Sequence, residues 1–188
     1  QMSQHETVAS FHIAAVGSGS GIRGARGLVV VERKRLERLD EVRRIVAAAR
    51  DAQPVWAATS FATRRSVLRH IQHALLTRAD ELCDLIVRDA GKTRENAMVG
   101  ELWPVSEKIR WTLSQGEKHL RPEKVSSGLF VHKKASIEYG PLGVVGIVCP
   151  WNYPLQNILG PTIHALFAGN ACVVKPSEHV AWSAEPIA

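Results

Sequence analysis

Two short stretches combine residue types that can polarise a carbonyl and hold a sugar diol. Cys149-Pro150-Trp151-Asn152 ends one apolar run, and Lys175-Pro176-Ser177-Glu178 ends another. Asn152 carries amide N–H donors without a charge, which suits a carbonyl oxygen that becomes an oxyanion. Lys175 offers an ammonium donor and Glu178 a carboxylate acceptor, a pair suited to nucleotide ribose hydroxyls. Plainer roles fit these residues as well. Asn152 can cap a helix opening near Pro154, and Lys175 and Glu178 can be ordinary polar residues at a strand end.

The elements that must position these groups read clearly from hydrophobic spacing. Val144 to Cys149 is a continuous apolar run ended by Pro150, the pattern of a strand covered on both faces in a parallel sheet. Leu155, Ile158, Leu159, Ile163, Leu166 and Phe167 follow at helical spacing, closed by Gly169-Asn170. Ala171 to Lys175 is a second buried strand. Strand, helix and strand make one βαβ unit with an expected right-handed crossover, and ligands of such units sit at the carboxyl ends of the strands. A sheet of only two parallel strands would leave an open edge and uncovered apolar faces.

Upstream the period is helical. Leu36, Leu39, Val42, Ile45, Val46 and Ala49 predict an amphipathic helix stopped by Pro54. A helical stretch from about Ser60 to Arg88 is expected to break near Arg78-Ala79-Asp80, with Gly91 as its C-terminal cap. A third helix is expected over about Thr93 to Gln115, bent by Pro104. Leu129 to Lys133 and Ala135 to Tyr139 read as short strands joined by a turn. Residues 1–35 read as an irregular or disordered lead-in, rich in Gly and Ser up to about Val31.

Composition narrows the function classes. The chain has 188 residues, 45% of them hydrophobic and 22% charged, as in soluble globular proteins. Its net charge of +6 is spread over helical faces that also carry Glu and Asp, so no nucleic-acid surface is expected. No run approaches a membrane span, and no signal peptide is recognisable. The three cysteines, Cys83, Cys149 and Cys172, lack CxxC spacing, which argues against a disulfide framework or zinc knuckle and fits a reducing compartment. Cys149 has no sequence-adjacent base or cation to activate it as a nucleophile. Gly19-Ser20-Gly21-Ile22-Arg23-Gly24 satisfies GxGxxG literally, but no helix opens after it. Gly91-Lys92-Thr93 lacks the glycine that a phosphate loop needs five residues earlier. His70 and His73 share a helix face without a further ligand set, so no metal site is expected.

Gly140 to Pro154 and Ala168 to Glu178, at their observed separation, resemble the aldehyde dehydrogenase superfamily. The likeness extends over about Leu39 to Ala188, through Trp56, Arg64, Arg65, Asp89 to Thr93 and Glu101. Ser114 to Glu117, Ser126 to Gly128 and Ser177 to His179 with Trp182-Ser183 look closest to a plant and fungal membrane-linked branch.

The resemblance implies an α/β fold: N-terminal helices, then the start of a Rossmann-like doubly wound parallel sheet, truncated. It makes residues 36–188 the N-terminal part of a cofactor-binding domain. It assigns Asn152 to the oxyanion, Cys149, Pro150 and Trp151 to the backbone alongside the dinucleotide, and Lys175 and Glu178 to the adenosine ribose. A carboxylate at Glu178 favours NAD, while Ser177 remains compatible with NADP. The activity implied is oxidation of an aldehyde to a carboxylic acid by hydride transfer, in a complete enzyme that is a homo-oligomer. The family's pyrophosphate segment, general-base Glu and nucleophilic Cys come later and match no position here. The isolated chain is therefore expected to be inactive towards aldehydes. The alternative is a truncated, non-catalytic product that acts only by binding partner subunits. The expected location is the cytoplasm, or the cytosolic face of an endomembrane if an upstream anchor exists.

Overall fold

The computed structural model describes residues 28–30 and 39–187. The GxGxxG stretch at Gly19 to Gly24 and most of the expected lead-in lie outside the described residues. Within that lead-in, Leu28–Val30 forms strand β1.

Helix α1 (Leu39–Ala57) opens with Asp40 and Glu41 in its first turn, where carboxylates favour the N-terminal end of the dipole. It does not stop at Pro54 as expected but runs on to Ala57. Tertiary bonds on either side of the proline offset the lost backbone bond: Gln53 donates to the Gly169 carbonyl at 3.1 Å and Trp56 to the Leu166 carbonyl at 2.8 Å. Helix α2 (Phe61–Thr77) is capped by Ser60, whose hydroxyl accepts from the Thr63 N–H. The expected break falls at Arg78, and α3 (Ala79–Ala90) ends at Gly91, which takes the left-handed conformation at φ +66°.

The third helical run extends to His119 and is interrupted twice by π turns. It comprises α4 (Arg94–Ala97), a π turn at Met98–Leu102, α5 (Trp103–Trp111), a second π turn at Thr112–Gly116 and α6 (Glu117–His119). Pro104, which lacks an N–H, sits just after the first π turn, in the opening turn of α5.

Beyond it the hairpin differs from expectation. Strands β2 (Glu123–Val125) and β3 (Ala135–Ile137) pair antiparallel, whereas Leu129 to Lys133 form the turn between them. The Phe130 N–H bonds the Ser127 carbonyl and the Lys133 N–H the Phe130 carbonyl, and Leu129 is 97% exposed. No second layer covers that apolar run among the described residues.

Strand β4 (Val144–Val148), helix α7 (Pro154–Phe167) and strand β5 (Ala171–Lys175) form the expected unit, with β4 and β5 parallel and Val148 opposite Lys175. A short 3-10 turn at Glu178–Val180 leads into α8 (Ala181–Ile187). The strand order is β1-β5-β4. β1 lies parallel on the far side of β5, so β5 is the central strand of a three-stranded sheet. β5 is accordingly enclosed at Ala171, Cys172 and Val174. β4 is an edge strand among the described residues, and Val148 is 78% exposed rather than covered on both faces.

The core fills the space between α7, the helices before it and the sheet, around Leu68, Ile86, Val105, Ile109, Leu155 and Ile163. Arg64 is buried within this core. It donates to the Phe167 and Ala57 carbonyls at 3.0 and 2.7 Å, placing a cation at the C-terminal end of α7. Burial pushes its pKa down from the ordinary arginine value, and those carbonyl bonds compensate the buried charge. No helix among the described residues is long and apolar enough to cross a membrane.

Candidate active site

The carboxyl ends of β4 and β5 lie side by side. The Cys149 N–H donates to the Lys175 carbonyl at 3.0 Å, continuing the strand pairing to the point where both chains leave the sheet. The loop 149–153 and the turn 175–178 therefore open on one edge of the sheet.

Asn152 is exposed, and its neighbours fix which way its amide faces. The Asn157 amide, one turn into α7, donates to the Pro150 carbonyl at 3.5 Å and to Asn152 Oδ1 at 3.2 Å. With Oδ1 engaged as acceptor, the Nδ2 donors of Asn152 are left to face outward.

Capping is not the job of Asn152. Tyr153 occupies the cap position of α7 without a side-chain bond, and the helix N-terminus is served from elsewhere. Glu101, fully buried on the first π turn, accepts from the Leu155 N–H at 2.8 Å and from Lys92 Nζ at 2.8 Å. The Lys92 ammonium also stands 3.5 Å from the centroid of the Tyr153 ring. Tyr153 also packs against Gly100, where an added Cβ would come within 3.1 Å of the ring. The chain just after Asn152 is thus held by an ion pair, a helix cap and a close glycine contact. Lys92 belongs to this assembly rather than to a phosphate loop.

On the β5 side, Lys175 Nζ and Glu178 Oε2 form an ion pair at 2.7 Å, each side chain about half exposed. The hydrogen bond from Lys175, then a backbone bond and the Lys175 charge, hold the Glu178 carboxyl at a pKa of about 2. Glu178 is a permanent anion at neutral pH. Ser177 is buried, and its hydroxyl accepts from the His179 N–H at 3.3 Å, capping the 3-10 turn.

Cys149 is enclosed, and its thiol donates to the Asn157 carbonyl at 3.3 Å. Burial outweighs the nearby Lys175 charge and raises its pKa to about 11. Such a thiol is protonated and unreactive. Burial raises Cys172 to about 12 and pushes Cys83 upward as well.

The model of the aldehyde dehydrogenase family matches residues 26–188. The chain belongs to the aldehyde dehydrogenase family. An aldehyde dehydrogenase-like protein of Schizosaccharomyces pombe is 45% identical over 139 residues, which are 73% of this chain and 27% of that protein. An NADP-dependent enzyme of E. coli superposes with a TM-score of 0.72 at 28% identity, covering 79% of this chain and 30% of that one. An NAD-dependent benzaldehyde dehydrogenase of Corynebacterium glutamicum superposes with a TM-score of 0.65 at 25% identity, covering 74% and 30%. The chain spans about a quarter of the length of the curated relatives it matches (27% of the S. pombe protein).

In this aldehyde dehydrogenase chain the residue types mark the two strand ends but not what holds them. Lys92 and Glu101 stood out only as points of likeness, without a role. Asn157 carries no such mark. Its amide side chain, one turn into a largely apolar helix and five residues after Asn152, is the signal that could have found it.

Proposed function

We propose that the polypeptide carrying this chain oxidises an aldehyde to a carboxylic acid with NAD or NADP as hydride acceptor. In this assignment the chain supplies the oxyanion amide and the ribose contacts. The observation that carries the proposal is the Cys149-to-Lys175 backbone bond, which brings the loop of Asn152 beside the turn of Lys175 and Glu178.

Asn152 Nδ2 would donate to the aldehyde oxygen as negative charge grows on it, an interaction worth on the order of 3 kcal/mol in the transition state. Asn157 keeps that donor outward, and the Lys92–Glu101 assembly keeps the loop in place, so little reorganisation is needed when the charge develops. The donor set at β5 fits a dinucleotide ribose: Lys175 is a donor, and Glu178 stays ionised at neutral pH as an acceptor for a diol. Pro150 and Trp151, both exposed, would contribute backbone contacts alongside the dinucleotide, and Cys149 backbone only. The dinucleotide, when bound, supplies the nicotinamide that takes up hydride.

The carboxylate of Glu178 would repel a 2′-phosphate, which favours NAD, while the Ser177 hydroxyl leaves a donor for NADP. Of the two superposing enzymes, one is NADP-dependent and the other NAD-dependent. None of the three buried thiols is assigned as nucleophile. Homo-oligomerisation of the complete protein is supported by the exposed Leu129, Val131 and Leu142 around the hairpin.

The test is to assay the polypeptide that carries this sequence with aldehydes and each dinucleotide, following reduced nicotinamide. Reduction that falls roughly 10²–10³-fold in kcat in Asn152→Ala is the expected result. No aldehyde-dependent reduction of either dinucleotide would overturn the proposal.

A further inference from the structure

Among the described residues the strands β2 and β3 pair only with each other, and no residue from Arg121 to Leu142 is buried. The turn between the strands is built by local bonds. The Gly128 N–H donates to Ser126 Oγ at 3.2 Å, and the Phe130 and Lys133 N–H groups bond carbonyls within the turn. Held this way, the turn presents three consecutive apolar side chains outward: Leu129 is 97% exposed, Phe130 58% and Val131 89%. Apolar surface of this kind is stabilised by leaving water.

The charges around the tip have one sign. Lys124 lies in β2, Lys133 and Lys134 follow the apolar triplet, and no carboxylate occurs from Lys124 to Lys134. None of the three lysines forms an ion pair among the described residues. The Lys133 ammonium lies over the Phe130 ring, 4.9 Å from its centroid, so a basic group sits directly beside the apolar ones. The neighbouring acids belong to the other end of the hairpin. Glu123 stands opposite Ile137, its carboxylate accepts from the Tyr139 hydroxyl at 2.9 Å, and Glu138 follows the end of β3.

We propose that the hairpin tip, Leu129 to Val131 with Lys124, Lys133 and Lys134, docks this protein reversibly on an anionic lipid surface. The three apolar side chains enter the acyl boundary, while the lysine stems run along it and carry their ammonium groups to lipid phosphates. Each lysine near such a surface adds about fivefold in binding. A second copy of the chain fits the tip less well. Two tips in contact bring lysines together with no carboxylate in either segment to meet them. Subunit contacts then fall to Leu142 and the strand faces.

The test mixes the polypeptide that carries this sequence with vesicles of phosphatidylcholine alone, or of phosphatidylcholine and phosphatidylserine at about two to one, and separates them by flotation. Wild type should float with the phosphatidylserine vesicles and stay in solution with phosphatidylcholine alone. Lys133→Gln combined with Lys134→Gln should lower partitioning roughly 25-fold, about fivefold for each lysine. Raised salt should weaken wild-type binding in the same direction. Leu129→Ser combined with Val131→Ser should lower it roughly tenfold or more. No flotation of wild type, flotation that ignores lipid charge, or equal partitioning of wild type and both double variants overturns the inference.

Trypsin gives a second readout on wild type, free of any effect of substitution on folding. Cleavage after Lys133 or Lys134 should slow when phosphatidylserine vesicles are added and stay unchanged with phosphatidylcholine. Unchanged cleavage of floated protein places the lipid contact elsewhere in the polypeptide and rejects the tip. Sedimentation without lipid in which Leu129→Ser with Val131→Ser turns an oligomer into monomers also rejects it, because a second copy then covers the tip. Neither readout depends on aldehyde oxidation.

Discussion

The buried carboxylate of Glu101 accepts a hydrogen bond from the backbone N–H of Leu155 at 2.8 Å, so a residue on one helix caps the start of another. Lys92 completes the pair at 2.8 Å, and both charges are largely withdrawn from water. Removing one partner of such a pair leaves the other charge and an N–H unsatisfied. Glu101→Ala should therefore destabilise the fold by about 3–5 kcal/mol, read from denaturant unfolding. Glu101→Gln keeps an acceptor for Leu155 and should cost less. Equal midpoints for wild type and Glu101→Ala would reject the assignment.

Asn157 is a positioning residue for Asn152. Replacing it by Leu, of similar size and without a donor, releases the Asn152 amide to rotate. The expected result is a kcat lower by roughly tenfold, the scale of one lost neutral hydrogen bond, with little change in aldehyde KM. Asn157→Gln should recover part of that loss. A change confined to KM would show that Asn157 contacts substrate and does not orient the amide.

The Lys175–Glu178 pair makes a pH prediction with a definite sign. The folded-state pKa of Glu178, about 2, lies below the ordinary carboxylate value, so the interaction is present above that ordinary value and is lost as pH falls through about 2. Dinucleotide affinity should not change through protonation of Glu178 between neutral pH and about 4. An NMR titration of the Glu178 carboxyl should give a midpoint near 2, returning towards the ordinary range in Lys175→Met. A wild-type midpoint of ordinary value would contradict the pairing. The exposure of both side chains means that little overall stability follows from this bond.

All three cysteines are buried, and Cys149 and Cys172 are raised to about 11 and about 12. Aromatic disulfide reagents at neutral pH should label none of them in the native state and all three after unfolding. The chain of residues 1–188 by itself should form no more reduced dinucleotide with aldehydes than its Cys149→Ser variant. Rapid native labelling of Cys149 would reopen its candidacy as nucleophile.

Much of this arrangement was legible because local pattern and tertiary structure agree. Val144 to Cys149 and Ala171 to Lys175 are apolar runs ended by Pro150 and Pro176, and the register that places Val148 opposite Lys175 follows from their pairing. Gly91 was readable as a cap because its backbone conformation favours glycine. Pro54 misled because Gln53 and Trp56 hold the helix through bonds to residues more than a hundred positions away, which no local rule detects. Leu129 to Lys133 misled in the opposite direction: an apolar run suggests a strand, but the Phe130 and Lys133 N–H groups bond within the turn. Leu28–Val30 was hidden by its Gly-rich surroundings, and its sheet partner β5 lies far along the chain. At the site, the types of Asn152, Lys175 and Glu178 announced their chemistry. The supports, Glu101, Asn157 and Tyr153, are defined by contacts made across the fold.

The central claim is that the two adjoining strand ends divide the work, with Asn152 acting on the reacting carbonyl and Lys175 with Glu178 on the cofactor. Steady-state kinetics of Asn152→Ala beside Glu178→Gln, in the polypeptide that carries this sequence, tests it most directly. The account predicts that Asn152→Ala lowers kcat by roughly 10²–10³-fold with dinucleotide KM little changed. Glu178→Gln should chiefly raise the dinucleotide KM. Wild-type turnover in Asn152→Ala, or the same loss of dinucleotide affinity in both variants, would contradict it.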